Sequence, residues 1–120
     1  MKIIVHRIRL RDGVDPDVFE EWIRRTDYEI CRQLPGIVSF SVQRMTETSL
    51  EGSSRNYFEV ISVTGGPDFD RDMKTDTFRR LAEEFDVMAE AVEEWAGERI
   101  EPGYTSDRIA GAEQPNQRNQ

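Results

Sequence analysis

A chain of 120 residues with a formal net charge of −8, a third of it charged, fits one soluble domain and argues against phosphate-rich partners. Arginines are interleaved with acids, as in EEWIRR and DFDRDM, so no basic stripe offers a nucleic-acid interface; no run of about eighteen apolar residues offers a membrane span. The one cysteine, Cys31, permits no internal disulfide, and the N-terminus enters a strand without the regions of a signal peptide, which together point to the cytoplasm.

KIIVHRIRL, residues 2–10, predicts a first strand with Ile4, His6, Ile8 and Leu10 on one face. RDGVDP breaks it. Asp15 is an N-cap with Pro16 at the first helical position, and Phe19, Trp22, Ile23, Thr26, Ile30 and Leu34 fall at helical spacing. A first helix is therefore predicted from about Asp15 to Leu34, stopped by Pro35-Gly36. IVSFSVQRM is a second strand, ETSLEGSSR a polar loop and NYFEVISVT a third strand. Ser39 and Ser41 place small hydroxyls on one face of the second strand.

The second helical region starts near Pro67 and restarts around residues 74–77. Phe78, Leu81, Phe85, Met88, Val92 and Trp95 then continue an amphipathic stripe. ERIEPGY is the predicted last strand. Residues 1–104 make one domain, and residues 105–120, polar and without aromatics, are predicted to be disordered.

The order is βαββαβ, a ferredoxin-like α+β arrangement: a four-stranded antiparallel sheet with two helices on one face. Both faces of the strands carry apolar residues, so the free face wants a cover. A second copy of the chain supplies one, and the expected assembly is a homodimeric α+β barrel.

Three polar residues sit where the pattern wants apolar ones: His6 in the first strand, Asp27 in the first helix and Glu59 in the centre of YFEVISV. Buried charges are costly unless paired, and histidine titrates nearest neutral pH, so these are the candidate acid/base groups. The structural alternatives stay open: His6 as a satisfied core residue, Glu59 bridged to Arg7 or Arg9, and Asp27 at the rim of its helix. The first and third strands are central in this topology, which makes His6 and Glu59 neighbours if their registers match. A single histidine and no carboxylate-rich loop make metal binding poorly supported, and no phosphate-cradling loop or dinucleotide fingerprint is present. No cofactor is expected.

IVHRI, TDYEIC followed by LPG, FSVQR, EVISV, MAEAVEEWAGE and PGY together resemble the RedY/HapK family of prodiginine and bisindole pathways, over about residues 1–104. More distantly, the histidine-bearing strand and helix ending in Pro-Gly are similar to stress-responsive barrel proteins and cofactor-free antibiotic monooxygenases. The family resemblance implies a cytoplasmic dimer whose pocket, between helices and sheet, receives a small aromatic intermediate derived from indole or pyrrole. Carried onto this chain, His6, Asp27 and Tyr28 are the matched polar positions, with Glu59 beside them. The expected activity is cofactor-independent cyclisation or condensation, with His6 as general acid/base and Asp27 or Glu59 orienting it. Trp22, Phe40, Phe78 and Phe85 would wall the pocket; Tyr28, another candidate for binding substrate, points away from the Phe19–Ile30 stripe by helical angle and would serve the dimer contact or a helix-end pocket instead. A cofactor-free monooxygenase and a binding protein without chemistry are the alternatives.

Overall fold

β1 (Lys2–Leu10) is central in an antiparallel sheet of order β2-β3-β1-β4, in which β2 is Ile37–Arg44, β3 is Asn56–Val63 and β4 is Ala89–Glu98. This is a computed structural model and describes residues 1–47 and 55–107. Between β1 and β2 lie α1 (Pro16–Trp22), a π-helical turn (Ile23–Asp27) and α2 (Tyr28–Cys31); α3 (Pro67–Met73) and α4 (Asp76–Met88) precede β4. The expected ferredoxin-like α+β fold is the fold observed. Much of the polar loop and all but the first residues of the C-terminal tail lie outside the described residues.

The helix starts follow the sequence. Asp15 accepts the N–H of Asp17 at 2.9 Å, with Pro16 next, and Thr75 Oγ1 accepts the N–H of Phe78 at 3.1 Å, restarting the chain as α4 where the break was expected. The core forms where strand and helix faces meet: Ile8, Leu10, Tyr57 and Ala89 from the sheet against Phe19 and Ile23. Tyr57, 1 % exposed, packs edge-on to Phe19 and donates to Glu20 Oε2 at 2.7 Å. Arg44 clamps the same carboxylate and, with Tyr57, holds its pKa down at about 2.

The last strand corrects the sequence reading. The stripe through Val92 and Trp95 does not extend α4, which ends at Met88; the strand begins at Ala89, and the expected strand ERIEPGY shares only Glu98 with it. Helical spacing of apolar residues persists past Met88, but β1 has an unpaired edge there. Ala89–Glu98 fills it over the whole length of β1, satisfying backbone groups that a longer helix would leave open. The register shifts between Arg7 and Ile8, so Val92 is bulged out of the ladder.

Away from the helices the sheet presents Val5 flanked by its cross-strand neighbours Val60 and Trp95, the indole 53 % exposed. Ser39 and Ser41 lie opposite Ser62 and Val60 on β3, while Ile37 and Phe40, the latter opposite Ile61, are residues of β2 that reach the cavity described below. No described helix is long and apolar enough to cross a membrane.

Candidate active site

A cavity of about 390 Å³ lies between the sheet and the helices. Its sheet wall carries Ile4, Phe40 and Ile61, and its helical wall carries Trp22, Phe78, Leu81 and Phe85. Into it project the polar residues His6, Asp27, Glu59 and Glu94.

His6 and Glu59 are paired opposite each other in the β1–β3 ladder, so the register settles what sequence left open. His6 Nδ1 lies 2.6 Å from Glu59 Oε2, and Nε2 lies 2.8 Å from Glu94 Oε1. The imidazole is thus held at both nitrogens by carboxylates from its two neighbouring strands. Glu59 makes no bridge to Arg7 or Arg9; those arginines pair with Glu93 and Glu90 of β4. The hydrogen bond that His6 donates to Glu59 is the largest influence on its pKa. It outweighs the burial that disfavours a charged ring and, with Glu94, raises the pKa to about 8.

The two carboxylates differ. The Glu59 side chain is 14 % exposed and fixed within the sheet, whereas that of Glu94 is 65 % exposed on the edge strand. Glu94 was missed in sequence because a helix was predicted there. Its inward aim depends on the bulge at Val92: Ala91 and Glu94 both line the cavity, and Glu93 between them points to Arg7. A pair of adjacent glutamates carries no signal of that offset.

Asp27 reaches the cavity through a change in helical pitch. Phe19, Ile23, Asp27 and Cys31 are all buried, at a spacing of four. In a regular α-helix four residues turn about 400°, and the row would drift by about 40° per step. The π turn absorbs that drift: Tyr28 donates its N–H to Ile23 O, five residues back. The buried row therefore replaces the predicted one, Thr26 and Ile30 are only half-buried, and Asp27 sits within the row rather than to its side. At 7 % exposure its carboxyl is raised to about pKa 7, first by burial and then by the charge of Glu59. The Cys31 thiol donates to Asp27 Oδ1 at 3.5 Å, and burial beside that carboxyl pushes the thiol pKa up, which keeps it protonated.

The four aromatic wall residues named from sequence, Trp22, Phe40, Phe78 and Phe85, all line the cavity. Trp22 is anchored by donating Nε1–H to Glu84 at 2.8 Å, with its ring 6.5 Å from that of Phe85. Tyr28 does not line this cavity. It stands in a shallower depression with Glu20, Arg24 and Arg44, its ring edge-on to Phe40 at 5.6 Å and its hydroxyl accepting the N–H of Val42 at 3.0 Å. It supports a wall residue from behind.

Comparison with known proteins gives the family. The model of the REDY-like protein HapK matches residues 2–100. The crystal structure of HapK from Hahella chejuensis is similar at 42% identity and a TM-score of 0.77, over 88% of this chain and 99% of that one. SnoaB from Streptomyces nogalater, a cofactor-independent oxygenase, gives a TM-score of 0.65 at 18% identity, over 84% of this chain and 94% of that one. An EthD family protein from Bacillus halodurans gives 0.60 at 15% identity, over 83% of this chain and 100% of that one. These last two share the fold alone. No curated protein matches the sequence. On the family match and the 42% identity to HapK, the chain belongs to the HapK family of REDY-like proteins.

Proposed function

We propose that this chain is a cofactor-independent enzyme of secondary metabolism that moves protons on an unstable aromatic intermediate, directing its cyclisation or condensation. The observation that carries the reading is the imidazole of His6, held by Glu59 and Glu94 at the wall of an aromatic cavity. With a pKa of about 8, His6 rests mainly as the imidazolium at neutral pH. Glu59 keeps a proton on Nδ1. Nε2–H is then the proton to give, to a substrate atom that takes the place of Glu94. Loss of that proton leaves the Nδ1–H tautomer, whose Nε2 lone pair removes a proton from a second position of the same substrate. Delivery and removal balance, and the enzyme returns to its starting state. Asp27, neutral below about pH 7, offers a hydrogen bond to an oxygen on which negative charge develops.

Family membership supports the biosynthetic setting, and the aromatic walls support a flat ligand derived from indole or pyrrole. Incubating the purified protein with such a pathway intermediate, in air and under nitrogen, tests the reaction. Equal turnover in both supports proton transfer. Turnover only in air makes the chain a monooxygenase, and binding without turnover makes it a carrier.

The same reading includes a cytoplasmic homodimer closed over the outer sheet face, where Val5 and the exposed Trp95 lie side by side. Light scattering at micromolar concentration should give twice the chain mass, and Trp95→Glu should halve it. A monomeric mass for the unmodified chain would remove the dimer from the proposal.

A further inference from the structure

We propose that Lys2 is the recognition group for an acidic substituent on the ligand, so that the cavity selects aromatic anions over neutral aromatics of the same shape. This rests on the reading of the cavity as an aromatic-ligand site and adds the ligand's charge.

Lys2 is the only lysine or arginine among the described residues that line the cavity. It begins the strand that carries His6, on the same face, four residues away, which is about 13 Å at the rise of a strand. Between them on that face stands Ile4, with Ile61 across the ladder, so an acid/base end and a cationic end are separated by an apolar stretch. The arginines of β1 and the one just after it are committed: Arg7 to Glu93, and Arg9 and Arg11 to Glu90. Lys2 makes no ion pair with any described residue, Glu98 opposite it on β4 included. A cation that lines the cavity and has no ion pair among the described residues, in a chain of net charge −8, is positioned for a charge that comes from outside. At the other end Glu59 and Glu94 repel an anion, so the two ends also orient the ligand, acidic group at Lys2 and reacting atoms at His6.

A matched pair of fluorescent probes isolates the charge: phenylnaphthylamine, which is neutral, and anilinonaphthalenesulfonate, which has the same rings and one sulfonate. Ala82→Phe, in the cavity wall, should weaken both; failure of the neutral probe to bind, or binding of both that ignores Ala82→Phe, overturns the aromatic-cavity reading itself. With that satisfied, the sulfonate should bind the unmodified protein about three- to tenfold more tightly than the amine, and the advantage should shrink in high salt. Lys2→Gln should abolish the advantage and leave the amine's affinity unchanged, while Lys2→Arg should keep it. Equal binding of the two probes by the unmodified protein, or a preference that survives Lys2→Gln, overturns the assignment of Lys2 and leaves the cavity reading standing.

Discussion

Glu94 Oε1 lies 2.8 Å from His6 Nε2, on the side of the ring opposite Glu59, so the only imidazole in the chain bridges carboxylates from both neighbouring strands. Because no second histidine exists, its NMR signals titrate without overlap. The midpoint should fall near pH 8. Glu59→Gln should lower it most, since Glu59 is the stronger and more buried partner, and Glu94→Gln should lower it less, because Glu94 stands largely in solvent. A midpoint unchanged in both variants would mean that neither contact persists in solution.

Asp27 sets a second pH dependence, and its sign can be worked out. Its carboxyl, ordinarily at 3.8, is raised to about 7 in the folded chain, so between those values the folded state holds a proton that the unfolded state has lost. Stability from this group is present at the acid end and declines as pH rises through that window. His6, raised from 6.5 to about 8, acts in the same direction at higher pH: its contribution is whole below 6.5 and is lost as pH rises through 8. Melting temperature should therefore drop between about pH 5 and pH 9. Asp27→Asn removes the cost of a buried charge and should stabilise the protein at about pH 8 while flattening the acid half of the decline. A variant that melts lower than the parent at that pH would place Asp27 in a stabilising pair instead.

The antiparallel sheet, its strand order and the position of the first helix follow from local signals: alternating strands, Asp15-Pro16 and Pro35-Gly36. His6, Asp27 and Glu59 were legible for one reason, a polar side chain in an apolar row. Glu94 was not, because it stands among glutamates in AEAVEEWAGE, a stretch whose apolar spacing suits a helix and whose strand state comes from pairing with β1. Tyr28 divides the signals: helical angle puts it off the Phe19–Ile30 stripe, the family resemblance makes it a matched polar position, and the structure shows its ring behind Phe40.

Gly36 illustrates a residue whose necessity is steric. A Cβ there would stand 2.5 Å from both the Cα and N of Phe69, backbone atoms of α3 that cannot rotate away, and its N–H donates to Asp72 Oδ2 at 2.6 Å. Gly36→Ala should push α3 outward, costing roughly 1–3 kcal/mol or more. Phe69 and Met73 of α3 both line the cavity, so phenylnaphthylamine should also bind more weakly. An unchanged melting temperature would show that α3 packs less tightly on this loop than described.

His6 separates the catalytic reading from the structural one by which quantity collapses. A core histidine replaced by glutamine would mainly leave Glu59 without its partner, a loss of about 1–3 kcal/mol. A proton-moving histidine replaced the same way should leave a folded protein whose turnover has dropped by about 10²–10⁴-fold, the usual worth of general acid–base catalysis. The geometry favours the second outcome: the imidazole lines a cavity, its side chain is 21 % exposed, and one of its two partners is held from solvent rather than from the core. We expect His6→Gln to melt within a few degrees of the parent and to be nearly inactive. A His6→Gln protein that is folded and fully active on the intermediate would end the role of His6 in catalysis and leave proton transfer to Asp27 or Glu94.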